Sequence, residues 1–347
     1  MWLLRCSESS PPFAAFLDLL NKSSVSWLSR VGAVSLIFGL VACGGSSPED
    51  DRSSAGKNLR VVTTFLPITL FTEAVAGDCA TVTSLIPPNL GPHDFQASPA
   101  DVSALGSAQV LVKNGLEMEG FLDKMVESAD NQELVVIDSS RGVATIDSPD
   151  GDHHDDHGDH HGDDHAEEGA HGHGEINPHI WLDPLRAVQQ VETIRDGLVK
   201  ADPSCEDGYK NNAAEFAAKL KDMNTEFTKQ LKPYAGKTFV AFHDFAPYFA
   251  ERYDLKAEYL VDLPEMNPSP ADLQRVAEEV KSSQLKALLS EPQEGSQSFN
   301  ALAKDLGVEV VVFNPLETGS EESARNPQTY LEVMRDNVAN LIKAIGG

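Results

Sequence analysis

Residues 206–231 read EDGYKNNAAEFAAKLKDMNTEFTKQL, a stretch rich in Ala, Lys and Glu with no strand signal. Its pattern predicts one uninterrupted helix. At ~1.5 Å per residue it would be about 39 Å long, enough to bridge two lobes. The strand-free region begins earlier, at Pro184, and Asp202-Pro203-Ser204 divides it into two helices.

On both sides of this region the pattern changes. Short apolar runs of strand type occur at Leu59–Thr64, Thr81–Ile86, Val110–Lys113, Leu134–Ile137, Thr238–Phe242, Ala257–Val261, Ala287–Leu289 and Val308–Phe313. Stretches of helical period lie between them, including Ile68–Ala76, Pro99–Leu105 and Pro270–Val280. Strands alternating with helices imply parallel sheets. The expected architecture is α/β: a small parallel-sheet lobe over 59–204, a long rigid linking helix over 205–232, and a second such lobe over 233–347, with a site in the cleft between the lobes.

The chain has 347 residues, 41% hydrophobic, with a formal charge of −27. That length supports two cores. The acidic balance argues against nucleic acid as a partner, because phosphate binding needs a basic surface. It also draws in cations. The four cysteines, Cys6, Cys43, Cys79 and Cys205, form no CxxC pair, which removes zinc-ribbon and thioredoxin-type readings. Cys79 and Cys205 are free to pair in an oxidising compartment.

Residues 31–42, VGAVSLIFGLVA, are apolar, follow Arg30 and precede Cys43. The run is too short to span a bilayer comfortably and reads as the core of a secretion signal. Leu40-Val41-Ala42-Cys43 has the form of a bacterial lipobox, which would make Cys43 the lipidated mature N-terminus. The signal region is then 1–42, and the Gly-, Ser- and charge-rich 43–58 is a flexible tether. Residues 1–29 fit a signal poorly and are read as an over-extended start, with Val25 as an alternative start. The expected location is the periplasmic side of the plasma membrane, held by lipid.

Residues 151–173, GDHHDDHGDHHGDDHAEEGAHGH, contain eight of the chain's 11 histidines: His153, His154, His157, His160, His161, His165, His171 and His173. Nothing there can form a core, so a disordered surface loop over about 148–175 is expected. Imidazoles beside carboxylates bind Zn²⁺, Cu²⁺ and Ni²⁺. On a floppy chain they would bind loosely and impose no geometry.

The other three histidines have different settings. His93 lies in Pro87-Pro88-Asn89-Leu90-Gly91-Pro92-His93-Asp94, after the second predicted strand. His243 follows the strand Thr238–Phe242, and His179 precedes the helix opened by Pro184. Ligands of α/β sheets bind beyond the carboxyl ends of the strands, so all three can meet in the cleft. Asp94 and Asp244 each follow one of these histidines and are candidates for bracing a ligand or capping a helix.

With these landmarks in place, the chain from about Leu59 to Ile345 resembles the metal-specific solute-binding proteins of bacterial ABC importers, and among them the ZnuA-type zinc binders. The resemblance rests on Val62-Thr-Thr-Phe-Leu-Pro67, Gly91-Pro-His-Asp-Phe-Gln96 with Ser98-Pro99, Asn114-Gly-Leu116, Asn177-Pro-His-Ile-Trp-Leu-Asp-Pro184, Phe242-His-Asp244, Ser290-Glu-Pro-Gln293 and Phe313-Asn-Pro-Leu316. It implies two α/β lobes on one rigid helix, Zn²⁺ bound by His93, His179 and His243, and delivery to an importer permease with its ATPase. It implies a monomer. The His-rich segment would act as a secondary, weaker collector or sensor. Asn314 falls where the family commonly places a fourth, aspartate ligand. A neutral amide binds zinc weakly, so the expectation is three histidines plus water, with Glu317 as the named alternative. The helices from Ile68 and Pro184 would both run away from the cleft, which would bring Cys79 near Cys205; two free thiols are the alternative.

Two rivals follow from the same residues. One is the same fold carrying Mn²⁺ or Fe²⁺, although manganese members usually have carboxylates at the last two ligand positions. The other is a three-histidine zinc hydrolase, for which HExxH is missing and only Asp94 or Asp244 could act as base. An adhesin has no positive sign in the sequence. On the zinc reading, protonation of the histidines near pH ~6.5 would weaken binding.

Overall fold

The computed structural model describes residues 59–148, 175–292 and 296–346, with the side chains of 296–298 left aside. The signal region, Cys43 with its tether, and the eight histidines of 151–173 lie outside the described residues.

The first lobe is built from β1 (Leu59–Thr63), α1 (Leu66–Ala76), β2 (Ala80–Ser84), α2 (Pro99–Ser107), β3 (Val110–Lys113), α3 (Leu122–Ala129) and β4 (Val135–Asp138). Its sheet has the order β2-β1-β3-β4, all parallel. Alternation along β1 sends Val61 into the large core shared with α1 and Val62 into a smaller cluster with Leu105, Leu111, Leu122 and Met125. Helices therefore cover both faces, as a parallel sheet requires.

The second lobe repeats the plan: β5 (Thr238–His243), α6 (Pro247–Arg252), β6 (Lys256–Val261), α7 (Pro270–Ser282), β7 (Ala287–Ser290), α8 (Ser296–Leu306) and β8 (Glu309–Val312), ordered β6-β5-β7-β8 and all parallel. The same four residues, Ser-Pro-Ala-Asp, start α2 and α7. In each the serine N–H donates to the aspartate carboxylate, at 2.8 Å for Ser98 to Asp101 and 2.9 Å for Ser269 to Asp272. Each serine stops the chain in an extended conformation, and each proline fixes the first helical residue.

Between the lobes run α4 (Pro184–Ala201) and α5 (Glu206–Leu231). The bounds of α5 are those its sequence predicts. Its buried face is Tyr209, Ala213, Phe216, Ala217, Leu220, Met223, Phe227 and Leu231, spaced three to four residues apart except for one adjacent pair. This stripe packs on α1 and α4 at one end and on the closing helix α9 (Gln328–Ile345) further along. Phe71 of α1 meets Phe216 of α5 and Tyr330 of α9, with ring centroids 6.1 and 5.0 Å apart. One apolar core thus runs through both lobes. Each such aromatic removed from water contributes roughly 1.5–3 kcal/mol.

Two further ties oppose relative movement. Asp183 is buried, caps α4 by accepting from Leu185 N–H at 2.9 Å, and accepts two hydrogen bonds from Arg252 of α6, at 2.8 and 2.6 Å. Arg186 joins Asp183 to Glu251 of the second lobe, at 2.8 and 2.7 Å. Cys79, after α1, is disulfide-bonded to Cys205, just before α5, with their Cα atoms 6.0 Å apart. The lobe boundary at 233–347 is not clean. The stretch after β8 crosses back to the first lobe, where Gly319 N–H donates to Pro88 O and Pro315 O accepts from the Trp181 indole at 2.8 Å.

Candidate metal centre

Parallel strands bring their carboxyl ends to one edge in each lobe, and four chain segments meet there. His243 is the last residue of β5, paired with Val261, rather than the residue after the strand. The reason is that β5 continues its ladder one residue past the apolar run. His93 is further from its strand than the sequence suggests. β2 ends at Ser84, and turns at Pro87–Leu90 and Gly91–Asp94 carry the chain to the site. His179 precedes a single 3-10 turn, Ile180–Leu182, that leads into α4.

The fourth segment follows β8. Leu316 has a left-handed backbone (φ 67°), an uncommon state for a branched side chain. Its amide donates to Asn314 Oδ1 at 2.8 Å, and Asn314 is held at both backbone groups by the Asn337 side chain, at 2.7 and 2.8 Å. This turn aims Glu317 into the cleft.

Of the two expectations for the fourth neighbour, water or Glu317, the structure brings Glu317 up to the three imidazoles. Asn314 shapes the turn through its Oδ1, and the carboxylate three residues on approaches the histidines. Glu317 Oε1 lies 3.0 Å from His179 Nε2, 3.5 Å from His243 Nε2 and 3.7 Å from His93 Nε2. The Nε2 atoms of His179 and His243 are 3.4 Å apart. Among the described residues these four are the group whose ligand atoms converge, all within 4.8 Å of one another. Four ligands at ~2.0–2.1 Å from a tetrahedral ion are about 3.3 Å from each other, so the spacing fits one ion with little movement.

The surroundings set the charge states. His179, His243 and Glu317 are buried, and the rings of Trp181 and Phe245 pack against His179 and His243 with centroids 5.0 and 5.2 Å away. Burial lowers His179 to about 4, outweighing the approach of Glu317. It is therefore neutral at ordinary pH. Burial also opposes charge on His243, but the carboxylates of Glu291 and Glu317 outweigh it and push this imidazole up to about 10. Burial opposes charge on Glu317 too, yet His243 and His93 hold it well below the usual carboxylate range. Without a metal, the proton on His243 partly neutralises the two carboxylates. A divalent ion would do so fully: two charges against Glu291 and Glu317.

Two residues not singled out in the sequence hold the ligands. Glu291 Oε1 accepts from His243 Nδ1 at 2.6 Å and from its amide at 3.2 Å. Asn177 Oδ1 lies 3.0 Å from His179 Nδ1. Carboxylates or carbonyls behind ligand imidazoles fix the ring and its tautomer. Glu291 directly follows β7, where the strand-end rule predicts function, and that position is the signal the sequence offers. Asp244 braces Asn177 with Oδ2 at 3.0 Å, and Asp94 is exposed.

A family model described as zinc-uptake complex component A, periplasmic, matches residues 61–344. The chain belongs to this family. The family is one of uptake components and not of enzymes. The chain is 31% identical over 300 residues to the high-affinity zinc uptake system protein ZnuA of Bacillus subtilis, covering 86% of this chain and 91% of that one. It is 33% identical over 309 residues to the zinc-binding lipoprotein AdcA of Streptococcus pneumoniae strain R6, spanning 87% of this chain but 58% of AdcA. The crystal structure of the Zn(II)-bound ZnuA-like domain of Streptococcus pneumoniae AdcA matches with a TM-score of 0.68 at 30% identity, covering 84% of this chain and 100% of that one.

Proposed function

We propose that this protein captures Zn²⁺ outside the plasma membrane at His93, His179, His243 and Glu317 and hands it to an ABC importer. The observation that carries the reading is the convergence of three imidazole nitrogens on one carboxylate oxygen, at 3.0–3.7 Å, in a buried site. Membership of a zinc-uptake family supports the direction of transport, and the Cys43 lipobox supports anchoring at the membrane. The segment 151–173 is then a weaker collector or sensor of the same ion.

The donor set favours zinc over Mn²⁺ or Fe²⁺. Manganese suits oxygen-rich octahedral sites, whereas three imidazoles and one carboxylate at tetrahedral spacing suit zinc. The hydrolase reading is disfavoured, because a catalytic zinc keeps a position open for water and Glu317 stands close enough to take it.

The test is growth and ⁶⁵Zn uptake under zinc limitation in a strain lacking this gene, complemented by wild type or by His179→Ala. Restoration by wild type and failure of His179→Ala, at equal protein levels, is the expected result. Equal restoration by both would remove this site from zinc uptake.

A further inference from the structure

Asn177 makes contacts that its place in the sequence does not explain. Its side chain is buried between the lobes. On one side Oδ1 lies 3.1 Å from the His179 amide and 3.0 Å from His179 Nδ1. On the other side Nδ2 lies 2.8 Å from the carbonyl of Asp244 and 3.0 Å from its Oδ2. The orientation of this amide follows from chemistry. A backbone N–H can only donate, so the oxygen faces His179; a backbone carbonyl can only accept, so the NH₂ faces Asp244. His179 Nδ1 must then carry its proton, and the Nε2 lone pair is turned to the metal position.

Asn177 is anchored at its backbone as well. Its N–H donates to Ile146 O at 3.0 Å, and its carbonyl accepts from the Tyr248 hydroxyl at 2.6 Å. The same hydroxyl accepts from Ile146 N–H at 3.0 Å. Tyr248 belongs to α6 of the second lobe. The residue adjoining ligand His243 and a tyrosine of the second lobe thus both grip the residue that orients ligand His179 of the first.

We infer that Asn177 is a positioning residue for metal binding: one amide fixes the tautomer of His179 and sets its register to His243 across the cleft. This rests on the metal-site reading above. The amide has both a donor and an acceptor end, and both are used. Aspartate has the same shape and keeps the acceptor toward His179, but it places a negative oxygen against the carbonyl and carboxylate of Asp244.

The test uses full-length mature protein, with zinc affinity for the tightest site read by competition with a high-affinity chelator. The d–d absorption of the Co²⁺ form reports ligand geometry. Asn177→Asp is expected to weaken zinc binding about 10- to 100-fold, the usual cost of losing an outer partner of a metal ligand, and to shift the Co²⁺ spectrum. Simple attraction of a cation to an added carboxylate predicts the opposite sign. The exchanged pair Asn177→Asp with Asp244→Asn restores a donor facing an acceptor at the side-chain contact but not at the backbone carbonyl, and should recover affinity and spectrum part of the way toward wild type. Unchanged or tighter binding by Asn177→Asp, or an exchanged pair no better than Asn177→Asp alone, would overturn the inference. His179→Ala, measured alongside, separates the two levels. If it too leaves zinc affinity unchanged, the metal-site reading fails; if it alone loses binding, only the role of Asn177 fails.

Discussion

Glu317→Gln is the perturbation that most sharply separates a four-ligand site from three histidines and water. The change is nearly isosteric. The new side chain can place its amide oxygen where Oε1 of Glu317 now lies 3.0 Å from His179 and 3.5 Å from His243, so the geometry survives and the charge is lost. With zinc bound, two carboxylates balance two positive charges in a buried pocket; the variant leaves one charge unmatched. Removing one partner of a buried ionic cluster costs about 3–5 kcal/mol, or about two to three and a half decades of affinity at ~1.4 kcal/mol per decade. An opposing effect is present. Glu317 also helps hold the proton on His243, so the variant gives up that proton more easily and regains part of the loss. The net expectation is therefore at the low end, about 100-fold weaker binding. Chelator competition at fixed pH measures it, with metal-free unfolding as a check that the variant is folded. A change smaller than about threefold, in a folded variant, would refute the reasoning and make Glu317 a bystander.

Proton release and the disulfide give two more expectations. His243 is pushed up to about 10 and His179 down to about 4, so across the neutral range His179 is already neutral and His243 must lose a proton to bind metal. Zinc affinity should rise about tenfold per pH unit from ~7.5 to ~9 and level off above about 10, with calorimetry in buffers of differing ionisation enthalpy showing about one proton released per zinc; no release at pH ~8 would contradict this. The linked stability has the opposite sense: a raised folded value favours the metal-free fold fully below the unfolded value of ~6.5 and is lost as pH rises through about 10. The Cys79–Cys205 bond closes a sequence separation of 126 residues, so replacing both by Ser should lower unfolding stability by about 2–5 kcal/mol. Because α1 starts at the site edge of the sheet and ends at the opposite one, zinc affinity should stay within a few-fold. An unchanged denaturation midpoint, or two thiols titrating in unreduced protein, would remove the bond from the account.

Much of the architecture is legible in periodicity. The linking helix Glu206–Leu231 has the bounds its composition predicts, because no proline interrupts it and the flanking Asp202-Pro203 marks a break. Strand edges differ by one or two residues; β2 is bounded at Ser84 although Leu85 and Ile86 remain apolar and buried and their amides still donate to the carbonyls of Thr63 and Thr64, at 2.7 and 2.9 Å. The three histidines stand out because His is scarce outside 151–173. Glu317 is one of 54 acidic residues, and the sequence names it as the alternative only through its closeness to Asn314; the turn that carries it to the histidines is not legible there. Asn314 attracts attention by its place in a motif, yet its amide serves the backbone. Asn177 and Glu291 stand inside recognisable motifs without a visible role, because a supporting partner is defined by what lies behind a ligand in space, which sequence spacing does not record.

The central claim is that four protein groups hold one zinc ion in the cleft. A crystal structure of the zinc-loaded protein, with anomalous data on both sides of the zinc edge, tests it most directly. The account predicts one strong zinc peak about 2.0–2.1 Å from the Nε2 atoms of His93, His179 and His243 and about 2.0–2.2 Å from a Glu317 oxygen. A peak bound by the three imidazoles and water with Glu317 turned away, or no zinc peak at this position, would contradict it.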